Sequence, residues 1–211
     1  MALYCWGSTI NGELGISDVQ NNISTPPKHD WDLAKNVEYI TCGSTHSLMI
    51  TNDGKLFSCG QNKFGQLGHD QPRKSPRACC GSSHSMALNE WGNIFTWGSN
   101  SFHQLGLSTE TAEPIPKLVK ALGTKNIIQI AAGNHHNLAL TNEGELFAWG
   151  LNHFGQCGLG NAEKISTPTK LSSLNGIPIA FITCGGSHSF VISKSGAVFG
   201  FVPANSVLEI F

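Results

Sequence analysis

Three stretches of equal length align with one another without a gap, and this repeat limits the chain more than any other feature. Residues 42–68 read CGSTHSLMITNDGKLFSCGQNKFGQLG, residues 80–106 read CGSSHSMALNEWGNIFTWGSNSFHQLG, and residues 132–158 read AGNHHNLALTNEGELFAWGLNHFGQCG. A fourth copy starts at Cys184 as CGGSHSFVISKSGAVFGFV and departs where Trp-Gly stands in the others. The first residues supply only the back end of a copy, Cys5 to Gly15. Units that recur this regularly are single supersecondary elements, and each can bury its apolar face only against its neighbours.

Each copy reads as a β-hairpin. His136, Leu138 and Leu140 alternate with Asn137 and Ala139, the period of a strand, and Glu145 to Trp149 runs back after a turn. The turn glycine recurs at Gly54, Gly92, Gly144 and Gly196. A hairpin loop of this length commonly ends on a positive φ, which glycine adopts without strain. The returning strand is apolar on both sides, with Leu146 and Ala148 on one and Phe147 and Trp149 on the other. Small sheets stacked radially between similar sheets cover both sides. The expected class is therefore all-β, a partial β-propeller of about four repeats over 1–201 followed by a non-repeat tail, 202–211. Short β-rich runs, Val37 to Thr41, Ile127 to Ala131 and Ile179 to Thr183, lead into the copies and supply a first strand for each.

The spacing contains an anomaly. Cys80 to Ala132 and Ala132 to Cys184 are 52 residues each, but Cys42 to Cys80 is only 38. The shortfall lies between His69 and Cys80, where Arg77-Ala78-Cys79 replaces a β-rich leading run, so the second blade is expected to lack its leading strand and Ser85 to Leu88 to lose a sheet neighbour. Both this deletion and the tail look like edits to a longer parent. An arc of four blades with uncovered ends is expected to be a poor autonomous domain.

The formal charge of −1 favours neither nucleic acid nor an anionic membrane as a partner. Charged residues are 13%, and 24 glycines among 211 residues suit many short strands joined by tight turns. No apolar run is long enough to span a bilayer, and the first residues lack a signal-peptide pattern. The seven cysteines are odd in number and sit at strand positions, which predicts reduced thiols in the cytoplasm or nucleus.

The recurrent G-x-x-H-[SN]-x-x-[LVI], a glycine turn and then [LI]-F-x-[WC]-G-x-N-x-[FH]-x-Q-[LC]-G resemble the repeat of the regulator of chromosome condensation family. The resemblance covers nearly the whole chain to Phe201 and implies a seven-bladed parent propeller. Two details resemble the small HERC ubiquitin ligases: the early Leu3-Tyr4-Cys5-Trp6-Gly7, and Gly65 to His69 followed by a basic segment. In that subgroup the propeller is N-terminal and a C-terminal HECT domain carries the catalytic cysteine. Nothing in this chain resembles that domain, so no catalytic residue is carried over.

The motif positions Gly43, His46, Gly81, His84, Gly133, His136, Gly185 and His188 recur blade by blade, as do Trp97-Gly98 and Trp149-Gly150. A role repeated in every blade is structural, because chemistry needs one site. Trp6, at the same repeat position as Trp97 and Trp149, is expected in the core between blades. The Cys-Gly-x-x-His pairs lie on different blades and Ala132 replaces one cysteine, so no metal site is expected. Cys79-Cys80 lacks redox spacing, and Gly155 to Gly160 lacks the Lys-Ser/Thr of a phosphate loop. No cofactor is expected. Two features suit a partner: Trp91, an aromatic in a hairpin turn, and the basic Arg73, Lys74 and Arg77, whose bland reading is a solvated loop.

The leading functional reading is a protein-interaction module that, in its parent, recruits substrates or partners to a HECT-type E3 ubiquitin ligase, with no enzyme activity in this chain alone. The alternatives are a guanine-nucleotide exchange factor for a small GTPase, as the resemblance implies for the family's founding member, and a truncated product without independent activity.

Overall fold

The computed structural model describes residues 3–16, 22–26, 28, 29, 36–68, 75–160 and 162–201. A short ribbon pairs β1 (Leu3–Tyr4) with β2 (Lys28–His29) and forms half a blade. The first full unit is β3 (Val37–Cys42), β4 (His46–Thr51) and β5 (Leu56–Gly60). The second is β6 (Arg77–Cys80), β7 (His84–Leu88), β8 (Ile94–Gly98) and β9 (Glu113–Leu118). The third is β10 (Ile127–Ala132), β11 (His136–Thr141), β12 (Leu146–Gly150) and β13 (Ile165–Lys170), and the fourth is β14 (Ile179–Cys184), β15 (Ser189–Ser193) and β16 (Val198–Phe201). Strands pair antiparallel in chain order within each sheet, which makes the molecule a partial β-propeller. Among the described residues no helix is long and apolar enough to cross a membrane.

The repeat fixes the register. His46, His84 and His136 face Gly60, Gly98 and Gly150 across their hairpins. The turn glycines Gly54, Gly92, Gly144 and Gly196 take φ of 79, 80, 84 and 89°, the left-handed region that side chains avoid. Strands β7 and β11 are buried along their whole length, because a blade covers each of their faces. Three apolar cores fill the gaps between successive blades. They centre on Leu48, Ala87 and Trp97, then on Met86, Leu122 and Trp149, and then on Leu140, Leu171 and Val191.

Two expectations need correction. The leading strand of the second blade is present: β6 is shortened to four residues and pairs Arg77 with Leu88 through to Cys80 with Ser85. Ser85 to Leu88 therefore keeps its neighbour. The pairing requires only backbone groups and two inward side chains, Ala78 and Cys80, which are buried. What β6 lacks is the bulge that interrupts β3, β10 and β14 near their first residues. Among the described residues the first and fourth blades have three strands each, without the outer one corresponding to β9 and β13. Those outer strands run into short 3₁₀ turns, Lys120–Leu122 and Ser172–Leu174, which bury Leu122 and Leu174.

The second correction concerns Trp6. Trp97 and Trp149 are fully buried, but Trp6 is 61% exposed. Each buried ring lies on a glycine of the preceding blade: a Cβ on Gly106 would sit 3.0 Å from the Trp149 indole nitrogen, and one on Gly68 would sit 2.7 Å from that of Trp97. Trp6 belongs to the half-blade, and among the described residues no glycine seat of a preceding blade lies under its ring. Phe201 pairs with Ser189 as Trp149 pairs with Asn137, and packs on Gly158 in the same way. The motif glycines meet a related constraint near the axis, where a Cβ on Gly81 or Gly133 would come 2.6 Å from the carbonyl of the next blade's glycine.

Trp149→Ala should cost about 3–5 kcal/mol, the usual range for emptying a buried aromatic site. Trp6→Ala should stay within about 0.5 kcal/mol. Urea unfolding of the two variants beside the parent chain measures both, and equal losses would contradict this account of the joints.

Candidate interaction surface and the joints behind it

Each blade is tied to the next by a buried polar joint. His46 Nε2 lies 2.9 Å from Ser85 Oγ, His84 Nε2 lies 2.8 Å from Asn137 Oδ1, and His136 Nε2 lies 2.7 Å from Ser189 Oγ. The residue after each motif histidine thus receives the histidine of the blade before it. That residue then donates to the carbonyl of the repeat glutamine: Ser85 Oγ to Gln66 O at 2.7 Å, Asn137 Nδ2 to Gln104 O at 2.7 Å, and Ser189 Oγ to Gln156 O at 2.8 Å. The indoles add a second donor to two of these carbonyls, Trp97 Nε1 to Gln66 O at 2.9 Å and Trp149 Nε1 to Gln104 O at 3.1 Å.

These bonds fix the tautomers. An amide oxygen can only accept, so His84 donates from Nε2 to Asn137. Ser85 and Ser189 spend their single protons on the glutamine carbonyls, so His46 and His136 must also donate from Nε2. The Nδ1 atoms are left buried without a partner and unprotonated. Burial depresses the basicity of all three rings, to about 4 for His46, about 3 for His84 and about 4 for His136. His188 holds the same sequence position but is exposed, since among the described residues no further blade packs against it. The joints were only partly visible in the sequence. The Ser or Asn after each histidine is a position of the repeat motif, but the glutamine carbonyl carries no sequence signal.

With the joints buried, what remains for a partner is the two ends of the blades. Trp91 stands 69% exposed in the β7–β8 turn. Asn89 fixes that turn, its Oδ1 accepting from the backbone N–H of Trp91 at 3.1 Å and of Asn93 at 2.9 Å. Arg77, exposed at the start of β6, pairs with Leu88 beside the same turn. Tyr39 pairs with Ile50 at the corresponding end of the neighbouring blade and is 47% exposed. Burial raises its hydroxyl pKa, as do the Cys79 and Cys80 thiols, and Arg77 is close enough to oppose the rise. The structure therefore places Arg77 and Trp91 at the same end of the second blade and Tyr39 at the corresponding end of the first, a residue that carries no signal of its own in the sequence. Arg73 and Lys74 lie outside the described residues. Among the described residues no group of three or more His, Cys, Asp or Glu could hold a metal ion.

Comparison with known proteins fits this geometry. Residues 2–201 match the RCC1-like domain. The chain belongs to the RCC1-like domain family. It is 40% identical to the Homo sapiens protein named "Probable E3 ubiquitin-protein ligase HERC4" and 44% identical to the one named "Probable E3 ubiquitin-protein ligase HERC3", in each case over 94% of this chain and 20% of the relative. The RCC1-like chain thus spans about a fifth of the length of these curated relatives, and what it shares with them is the propeller segment. Among solved structures, human WBSCR16 superposes with a TM-score of 0.85 at 23% identity, covering 98% of this chain and 60% of that one. Prp20p from Saccharomyces cerevisiae, described together with its binding to Gsp1p and histones, superposes with a TM-score of 0.80 at 24% identity over 94% of this chain and 53% of that one. At those identities the likeness shows the RCC1-like fold alone.

The depressed histidines make this RCC1-like fold acid-sensitive. Their folded pKa values lie below the ordinary 6.5, so folding favours the neutral rings. That stability is complete above pH 6.5 and is lost as the pH falls toward 4, by up to roughly 1.4 kcal/mol per pH unit for each ring. Urea midpoints at pH 7 and pH 5 should show the loss, and a His84→Gln variant should show a shallower dependence.

Proposed function

We propose that the chain is a protein-interaction propeller which, within a longer protein, brings substrates or partners to a HECT-type ubiquitin ligase. The observation that carries the reading is the 40–44% identity to HERC4 and HERC3, spread over 94% of this chain. The surface around Trp91, Arg77 and Tyr39 supports it, since exposed aromatic and arginine side chains on a rigid scaffold are common anchors of protein interfaces. A cytoplasmic or nuclear setting belongs to the same proposal and is supported by seven unpaired thiols.

Ubiquitin transfer is not part of the proposed role of these residues by themselves. A thioester needs a thiolate, and burial raises the Cys59 thiol to about 11 and the Cys157 and Cys184 thiols to about 12, with Cys79 and Cys80 raised further. The exchange-factor alternative needs one element that projects beyond its equivalents. The four hairpin turns, which share a glycine at the same place, are of equal length.

Two measurements test the proposal. Incubation with activating enzyme, conjugating enzyme and ubiquitin should leave no reductant-sensitive ubiquitin adduct on the chain, and such an adduct would overturn the non-catalytic reading. A variant carrying Trp91→Ala and Tyr39→Ala should melt with the parent yet lose roughly 5- to 30-fold in affinity for partners captured by the longer ligase. Unchanged capture would show that the hairpin-turn end is not the interaction surface.

A further inference from the structure

The joint between the half-blade and the first blade keeps the carbonyl and the hydroxyl donor of the later joints but has neither their histidine nor their ring. Glu13-Leu14-Gly15 occupies the place of Gln66-Leu67-Gly68 and Gln104-Leu105-Gly106. Gly15 has φ 66°, against 66° for Gly68 and 67° for Gly106, so the backbone of the seat is the same. The Glu13 carbonyl accepts from Ser47 Oγ at 2.8 Å, as the glutamine carbonyls do from Ser85 and Asn137. The second donor differs. Where Trp97 and Trp149 stand in later blades, the first blade has Cys59, whose Sγ reaches Glu13 O at 3.2 Å.

A thiol is far smaller than an indole, and the space remains. A pocket of about 200 Å³ opens at this joint, floored by Cys59 and walled by Leu14, Ile40 and Met49, with Tyr4 and Trp6 at its rim. Tyr4 and Trp6 are 52% and 61% exposed, so the mouth faces solvent. An apolar cavity of roughly 150 Å³ is already large enough to admit benzene. The Phe201 joint shows the other way to change this position: there a ring without a donor still packs on its glycine, and no comparable donor reaches Gln156 O beyond Ser189.

We propose that this pocket is a binding site for a free small molecule, a flat bicyclic heteroaromatic with an N–H donor, indole being its simplest form. The ring would lie where Trp97 and Trp149 lie in their own joints, with its N–H directed to the Glu13 carbonyl. That carbonyl is already oriented by Ser47, and the thiol that now touches it is a weak donor easily replaced. A free molecule suits the site better than a side chain of another protein. In the later joints the ring arrives from within the sheet, on the Cβ of the strand itself, so the seat matches a ring that brings no second chain with it.

The test uses the 211-residue chain, with indole as the probe and titration calorimetry or amide chemical shifts as the readout. Saturable binding of indole is expected, with indene, which has the same shape but no N–H, about five- to tenfold weaker. Cys59→Trp should abolish binding by filling the seat, and Cys59→Phe should do the same. Cys59→Trp should also raise Tm by several degrees, as cavity-filling changes do. A fall in Tm would show that the seat does not fit an indole and would overturn the proposal even if binding could not be measured in that variant. Equal affinity for indole and indene, indole binding that survives Cys59→Trp, or no saturation up to the solubility limit would each overturn it as well. N-acetyltryptophanamide is expected to bind more weakly than indole, and tighter binding would replace the small molecule with a partner's tryptophan.

Discussion

The rest of the structure depends on the hydrogen-bonded joint between blades. No blade can bury its own faces, so apolar packing alone would let neighbouring sheets slide past one another. The joint prevents this, because it aligns a histidine of one blade, a Ser or Asn of the next and a glutamine carbonyl of the first, all out of reach of water. A slip of one residue would leave those groups buried and unpaired, at a cost of about 1–3 kcal/mol each. Low-dielectric surroundings strengthen the bonds that are made and raise the penalty for those that are not. Polar specificity is thus added to a fold whose gross stability is apolar.

This requirement explains the spacing of the repeat. Every residue of a joint falls within the stretch from the Cys-Gly or Ala-Gly to the Gln-Leu-Gly or Gln-Cys-Gly, and that stretch has the same length in all three complete copies. The segment from there to the next copy contains no joint residue. It can therefore be shortened, as it is between Gly68 and Cys80, without disturbing the alignment of blades. Among the described residues the first blade has no outer strand, and the core beside it, around Leu48 and Trp97, has no counterpart to Val119 and Leu122 of the next.

The hairpins and leading strands were legible because period-two alternation and turn glycines are local signals. The outer strands were not. Glu113–Leu118 contains Pro114 and Pro116, and Ile165–Lys170 contains Pro168, which argue against strand unless the strand lies at an edge. Edge position is a property of the sheet and cannot be read from six residues. Trp6 illustrates the same limit. Its local sequence matches that of Trp149, but burial is conferred by the preceding blade. Arg77-Ala78-Cys79 reads as a replacement for the β-rich leading run of the other blades, yet β7 on one side and the core shared with the first blade order it as a strand. On the candidate surface, Trp91 was legible as a turn aromatic. That Arg77 lies at the same end of the blade follows from the register of β6, and the place of Tyr39 from the neighbouring blade.

Joint residues and surface residues belong to separate sets, and that separation lets one scaffold serve many partners. The histidines, the glutamine carbonyls and the two complete indoles are buried, so selection on the fold acts where no partner can reach. The turns need only a glycine at positive φ and one side chain to hold the loop, a role filled by Thr51, Asn89, Thr141 and Ser193 in the four blades. The remaining turn positions are free, and in the second blade one of them holds Trp91. The joints are not all equivalent. Those between the first and second and between the second and third blades are complete, that reached by Phe201 lacks the indole donor, and that at Cys59 lacks both the histidine and the ring. Local opening favours the element with the fewest buried contacts. The half-blade, whose joint has neither histidine nor ring, is therefore expected to open before the full blades, and it bounds the pocket at Cys59.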